Sequence, residues 1–134
     1  MREILFRGKR IDNGEWVEGY LTRRPSAIQY GAHYSPWFID KPPRDPDDNG
    51  DIYNVDGETV GQFTGRNDKN GKKIFEHDIV KYQNALFEVY FNEPHMMFYL
   101  FGYKNGRGGV NGFTMTQTNT LEVVGNIFDY KEEA

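Results

Sequence analysis

The stretch from residue 59 to residue 81 reads TVGQFTGRNDKNGKKIFEHDIVK, and it decides the fold. Its two ends are rich in Val, Ile and Phe, which favour strands, and its centre is a polar run that is typical of a tight turn. Asn70 and Gly71 supply the positive φ that such a turn requires. The stretch therefore predicts strands at 60–65 and 78–82 with a turn at 68–71. It contains no nucleophile, metal cluster or phosphate-binding loop.

A hairpin is predicted at the N-terminus. Residues 3–7 alternate at the two-residue period of a strand, and Asn13-Gly14 is a strong turn signal. A second strand then begins at Trp16. Because Trp16 and Tyr20 have matching parity on this strand, we expect Trp16 to be a core residue of the hairpin.

The rest of the chain predicts short strands separated by turns. Five prolines interrupt the pattern between residues 24 and 50, where only the apolar island at 37–39 indicates a strand. Further strands are predicted at 51–55, 58–64, 86–92, 95–103 and 121–128. Strands of this length at short intervals are typical of an antiparallel all-β unit.

Composition also favours short strands over helices. The 134 residues include 15 glycines and six prolines, which punctuate the chain too often for long helices. Aromatic residues make up 16% of the chain, so the core depends on a few large rings. We predict a mainly β single domain. Its parts are an N-terminal hairpin at 1–24, a long irregular acidic connection at 25–57, a small antiparallel SH3-type barrel at 58–128 and a tail at 129–134.

The 59–81 stretch closely resembles the signature of the YopX family, small proteins found mainly in bacteriophages and prophages. Residues 2–17 are similar to the family's opening hairpin, and residues 121–128 are similar to its closing strand. His77 stands where the family usually has glycine, so a positive φ there would leave His77 mildly strained. The resemblance implies a barrel-like fold and a phage or prophage protein, and it implies no activity.

Several classes of chemistry are excluded or disfavoured. The chain has no cysteine, which excludes disulfides, thiolate catalysis and cysteine-ligated zinc. Neither Ser26 nor Ser35 lies in a nucleophile elbow, and the three histidines show no ligand spacing. We therefore expect a non-enzymatic protein without a cofactor. Because residues 1–7 are charged and no apolar run is long enough to span a membrane, we expect a cytoplasmic location.

An acidic loop carries the sharpest chemical motif. Residues 45–56 can be laid on the twelve-position calcium loop of EF-hand type, with Gly50 at the sharp bend. The metal ligands in this reading are Asp45, Asp47, Asn49, Asp51 and Asp56. The residues on both sides do not predict the helices that flank such a loop. We therefore expect a solvated turn, with calcium binding as the alternative.

Basic residues concentrate near the N-terminus. Residues 1–44 hold eight Lys/Arg against five Asp/Glu, whereas residues 45–62 hold six acidic residues and no basic one. The basic residues that could line one side of the hairpin are Arg7, Lys9, Arg10, Arg23 and Arg24. With a ring of Trp37, Tyr30 or Tyr34 exposed nearby, this surface would suit single-stranded nucleic acid.

Three functions are compatible with the sequence. The first is a non-enzymatic protein that acts by self-association or by binding another phage or host protein, because the ring-rich segment 95–103 favours an apolar face that needs cover. The second is a nucleic-acid-binding module that uses the basic hairpin. The third is an enzyme whose active site assembles from dispersed residues. We expect a homo-oligomer rather than a nucleic-acid binder, because the many aromatic residues favour a surface that a second copy covers and because a net charge of −4 repels a polyanion at long range.

Overall fold

A computed structural model describes residues 3–24, 35–103, 113–114 and 120–130. These residues form eleven strands and one short 3-10 helix, Gly57–Thr59, and every strand pair is antiparallel. The chain is therefore mainly β, as predicted. It divides into two compact units, Met1–Gln62 and Phe63–Ala134. Within the described residues, no helix has the length and apolar character that crossing a lipid bilayer requires.

The first unit contains an antiparallel sheet. Its strands are β1 (Phe6–Lys9), β2 (Trp16–Arg23), β3 (Trp37–Lys41), β4 (Asp51–Asn54) and the start of β5 (Gly61–Asn67). They lie in the order β4-β3-β2-β1, and the start of β5 pairs with the other side of β1. The predicted hairpin is confirmed as β1 and β2, with Gly14 at φ 73° in its turn. The strands predicted at 37–39 and 51–55, within the long connection, are confirmed as β3 and β4 of this sheet.

The core of the first unit is small. Its buried centre consists of Val17, Ile39 and Val55, and half-buried apolar side chains pack around it. Trp16 is not part of this core, so that prediction was wrong. The alternation of β2 turns Val17 inward, and Trp16 is half-buried on the opposite face with Tyr20, whose exposed fraction is 54%. Because Trp16 and Val17 are both apolar, the two-residue period alone does not decide which of them is buried.

The second unit contains a five-stranded sheet and a separate strand pair. Its further strands are β6 (Lys73–Phe75), β7 (Asp78–Tyr82), β8 (Ala85–Asn92), β9 (Met97–Gly102), β10 (Phe113–Thr114) and β11 (Glu122–Asn126). The sheet order is β10-β9-β8-β7-β11, while Phe63 of β5 pairs with Phe75 of β6. The predicted strand at 78–82 is confirmed as β7. Gln83 and Asn84, both with positive φ, make the two-residue turn that joins β7 to β8.

The predicted SH3-type barrel is not confirmed. Among the described strands, the five-stranded sheet ends at β10 on one side and at β11 on the other, and no closed barrel forms. Closure requires hydrogen bonds between the first and last strands of a sheet, which the local pattern of a sequence does not specify. One face of this sheet carries the core of the unit, which consists of Ile74, Val80, Val89, Leu100, Leu121 and Val123.

Asp68 joins the signature turn to the last strand. One carboxylate oxygen accepts the backbone N–H groups of Asn70 and Lys72, at 2.8 and 2.9 Å. The other accepts the N–H of Val123 at 2.9 Å, across 55 positions of sequence. Burial by itself raises the pKa of this carboxyl, but the three N–H donors outweigh that effect and hold the pKa below its ordinary value of 3.8.

His77 occupies the tight turn between β6 and β7. Its φ is 77°, so the positive φ expected at this position is confirmed. Its N–H donates to the carbonyl of Val89 at 2.8 Å, and its carbonyl accepts the N–H of Ile127 at 3.0 Å. The imidazole lies edge-on to the ring of Phe128. The turn is thus held to β8 and to the segment after β11.

Asp68→Asn is expected to lower the free energy of unfolding at pH 7 by about 2–4 kcal/mol, because the amide turns a donor group toward buried N–H groups. Since the pKa of Asp68 is depressed in the folded protein, its contribution to the free energy of unfolding is fully present above the unfolded-state pKa of 3.8. That contribution is lost as the pH falls through the folded-state pKa. The difference in free energy of unfolding between Asp68→Asn and the natural protein should therefore narrow in acid. Urea denaturation from pH 7 down to pH ~3 measures it. Exposed Asp47→Asn is the control, and equal stabilities of Asp68→Asn and the natural protein at pH 7 would contradict this role.

The strain at His77 is tested with a matched pair of substitutions. His77→Val and His77→Asn both remove the contact with Phe128, but only asparagine adopts positive φ readily. We expect the free energy of unfolding of the valine variant to be about 1–3 kcal/mol lower than that of the asparagine variant. Urea denaturation of both proteins measures the difference. Indistinguishable stabilities would show that the turn relaxes out of the positive-φ conformation.

Candidate binding site

The predicted calcium ligands lie in two places. Asp45, Asp47 and Asn49 lie in the turn after β3, where Asp45 Oδ1 accepts the N–H of Asp47 at 3.0 Å. Asp51 begins β4, and Asp56 follows that strand as the N-cap of the 3-10 helix. Because β4 is extended, roughly 16 Å separates Asp51 from Asp56. The closing ligand is therefore remote from the turn, and this geometry does not favour the calcium alternative.

The acidic turn is organised by its own hydrogen bonds. Asp48, which was not among the predicted ligands, accepts the backbone N–H groups of Arg44 and Gly50 at 3.0 and 2.8 Å. Bonds of this kind are typical of Asx turns in polar connections. In the part of the chain that the structure describes, no group of three or more His, Asp or Glu side chains is placed to hold a metal ion.

The structure brings together two of the five predicted basic residues. Arg7 and Lys9 of β1 lie over the ring of Trp16, with the guanidinium carbon 4.9 Å and the ammonium nitrogen 5.7 Å from the ring centroid. Arg10 instead pairs with Asp12 at 2.6 Å and lies over Tyr53. Cation–π contacts of this type stabilise both partners. The ring of Trp16 is therefore engaged by cations of its own chain.

The other two predicted basic residues lie at the far end of β2. Arg23 is on the face opposite to Trp16 and has its guanidinium 5.9 Å from the ring of Trp37. Arg24 pairs with Asp40 at 2.9 Å. Eight residues of extended strand place Arg24 roughly 26 Å from Trp16. The predicted basic patch is thus divided, and Tyr30 and Tyr34 lie outside the described residues.

A cluster of rings occupies the second unit on the face of β8 and β9 opposite to the core. Successive strand residues point to alternate faces, and Val89 and Leu100, which are paired, are buried in the core. The residues that flank Val89 along β8 and Leu100 along β9 therefore point to the other face. We call these residues the aromatic face, and they are Glu88, Tyr90, Tyr99 and Phe101.

The rings of the aromatic face are stacked edge to face. Tyr90 and Phe101 have centroids 5.8 Å apart and planes at 87°, and Tyr90 and Tyr99 have centroids 6.0 Å apart and planes at 73°. Tyr99 also forms a hydrogen bond with the Nδ1 of His95. Phe101 has an exposed fraction of 40%, and nearby Met97 one of 42%. The face is therefore ordered by ring contacts yet accessible to solvent.

Glu88 supplies the charge on this face. It lies directly opposite Phe101 on β9 and opposite the buried Ile79 on β7. Desolvation raises the pKa of its carboxyl, the nearby His77 lowers it, and Glu76 raises it further, so the net shift is upward. A carboxylate in this setting gains more from a neighbouring cation than a fully solvated one does.

A pocket of about 310 Å³ opens on the aromatic face, and it is lined by Glu88, Tyr90 and Phe101. The volume is at the lower end of the range of ligand pockets, about 300–1,000 Å³. Two perpendicular rings and one carboxylate can bind a cation or an amphipathic side chain. They include no nucleophile paired with a base.

The sequence predicts the ring-rich segment at 95–103 but does not predict this site. Strand β8 carries apolar side chains on both faces, so periodicity alone gave no orientation. The one signal in the sequence was Glu88, the only charged residue of β8. A charge in an otherwise apolar strand marks the face that is turned away from the core.

The sequence model of the family described as YopX protein matches residues 5–132, which is nearly the whole chain. The match includes the signature turn at Asp68, the positive-φ turn at His77 and all eleven strands. No curated protein sequence matches the chain. The protein belongs to the YopX family.

Proposed function

We propose that this protein acts by binding and not by catalysis, and that it associates with a second copy of itself through the aromatic face. The observation that carries the proposal is the stacked cluster of Tyr90, Tyr99 and Phe101 on the side of the sheet opposite to the core. Tyrosine and phenylalanine rings cover a large area while losing little conformational entropy, and they are enriched in protein interfaces.

The geometry of the aromatic face supports an interface. The edge-to-face contacts hold the rings in place before a partner binds, which reduces the entropy lost on association. Met96 and Met97, with exposed fractions of 75% and 42%, extend the apolar surface at the end of β9. Methionine side chains adapt readily to a contacting surface. A rigid centre with an adaptable border is suited to binding another protein surface.

The nucleic-acid alternative has weaker support. Arg7 and Lys9 lie over Trp16, so these two cations already contact a ring of their own chain, and Trp37, a ring predicted to stack on a base, already lies beside Arg23. The charge of Arg24 is balanced by Asp40. The net charge of the chain is −4, which opposes the approach of a polyanion.

Light scattering at micromolar protein tests the proposal. We expect a dimer or larger homo-oligomer, and we expect Phe101→Glu to shift it to monomer, because a second carboxylate beside Glu88 leaves an unpaired charge in the interface. Tyr20→Glu is the matched control, since it alters an exposed ring in the first unit and should not change the mass. Circular dichroism verifies that both variants fold.

A monomeric natural protein, or a Phe101→Glu variant that associates as the natural protein does, would contradict self-association through this face. A titration with fluorescent single-stranded oligonucleotides at low salt runs alongside. Binding with a steep salt dependence by a strict monomer would favour the nucleic-acid alternative instead.

A further inference from the structure

We propose that Glu88, Tyr90 and Phe101 form a cage for an alkylammonium group, that of a lysine side chain or its N-methylated form on a binding partner. The inference takes from the proposed function only the statement that the aromatic face is a binding surface. It adds the chemical class of the group that enters the pocket.

The three side chains form a compact triangle on two strands. Glu88 and Phe101 are directly paired across β8 and β9, and Tyr90 is the next residue of β8 on the same face. Directly paired side chains in an antiparallel sheet have Cβ atoms about 5 Å apart, and same-face neighbours on one strand are about 7 Å apart. The three groups can therefore contact one small ligand at the same time.

The orientation of the rings favours a cation. The planes of Tyr90 and Phe101 meet at 87°, so a group in the corner between them can contact both walls. The face of an aromatic ring carries negative electrostatic potential, and ammonium ions bind within about 6 Å of a ring centroid. Quaternary and methylated ammonium groups suit such a corner, because their methyl groups pack on the rings while the charge interacts with them.

The carboxylate of Glu88 makes the pocket selective for a positively charged ligand. Glu88 is half-buried, and in that position an uncompensated carboxylate is costly. An ammonium group offsets that cost, a neutral apolar ligand leaves it in place, and an anion increases it. The raised pKa of Glu88 is consistent with a carboxyl that is incompletely solvated.

The cation is not supplied by the part of the chain that the structure describes. In the first unit, Arg7, Arg10 and Arg23 each lie over a ring. No lysine or arginine of the described residues lies over Tyr90, Tyr99 or Phe101. The rings of the first unit thus make cation–π contacts within their own chain, whereas Tyr90 and Phe101 can make such contacts with an external cation.

Choline and its uncharged isostere 3,3-dimethyl-1-butanol make a direct test of the cage. The two probes have nearly the same shape, so a difference in their binding reports the charge. We expect choline to bind the natural protein with a Kd in the millimolar range, about 10-fold or more tighter than the isostere. Tyrosine fluorescence and the NMR signals of Tyr90 and Phe101 provide the measurement, at protein concentrations below those of self-association.

Three variants separate the parts of the cage. Glu88→Gln keeps the shape and removes the charge, and Phe101→Leu keeps the apolar volume and removes the ring. Each is expected to weaken choline binding about 5-fold or more. Tyr20→Leu, which alters an exposed ring of the first unit, should bind choline as the natural protein does. Because the substitutions preserve volume, the variants are expected to fold, and circular dichroism verifies this.

The pH dependence of choline binding provides an independent readout. Binding requires ionised Glu88, so affinity should fall as the pH is lowered through the pKa of that carboxyl. The charged or titratable groups around Glu88 are His77 and Glu76 in the turn before β7, Lys81 on β7, Tyr90 on β8, and Tyr99 on β9 with His95 beside it. Positive charge on His77, which lowers the pKa of Glu88, also repels the ligand. The Glu88→Gln variant separates the two effects, because any dependence that it retains arises from the other groups.

The outcomes distinguish this inference from the proposed function. Equal binding of choline and the isostere would overturn the cage, and so would unchanged choline affinity in both Glu88→Gln and Phe101→Leu. In either case, a dimer that the Phe101→Glu substitution dissociates would still support self-association. Choline binding that needs Glu88 and Phe101 in a protein that stays monomeric would support the cage and overturn self-association. If both hold, choline should also weaken the dimer, since it competes for the same pocket.

Discussion

The arrangement of the second unit depends on one buried carboxylate. Asp68 binds the N–H groups of its own turn with one oxygen and the N–H of Val123 with the other, so a single side chain joins segments that are 55 positions apart. Val123 belongs to the core and to β11, the strand that ends the five-stranded sheet. A buried carboxylate that is fully hydrogen-bonded is stabilising, whereas an unpaired one is costly. The position of β11 and the geometry of the signature turn are therefore fixed by the same group.

The local features of this fold could be predicted from the sequence, because short-range rules determine them. The turn at Gly14 and strand β7 follow from residue types and two-residue alternation, and both lie where the sequence places them. The burial of Trp16 was predicted wrongly, and the closure of a barrel is not confirmed among the described strands, since each depends on contacts that alternation does not encode. The role of Asp68 lies between these cases. Its turn was predicted, but its bond to Val123 requires knowledge of which strand returns to that turn.

The binding site was less predictable than the fold for a related physical reason. On β8 the side chains on both faces are apolar or aromatic, so composition indicates rings without indicating which of them reach solvent. The five cations of the predicted basic patch are distributed for a similar reason. Strand alternation and the length of β2 divide them, and carboxylates such as Asp12 and Asp40 pair with two of them. Register and parity decide which chemical groups meet.

The rings of the first unit and those of the aromatic face differ in whether they contact a cation of their own chain. In the first unit, the rings of Trp16, Trp37 and Tyr53 contact arginine or lysine side chains of their own chain, so most of their cation-binding capacity is used within the fold. In the second unit, Tyr90 and Phe101 stack on each other beside the half-buried carboxylate of Glu88. A ring that already contacts a cation of its own chain stabilises its sheet, but its face is occupied. Rings and a carboxylate that are ordered without a cation can bind an external cation at low entropic cost. This contrast is the physical reason for proposing that the second unit binds a partner.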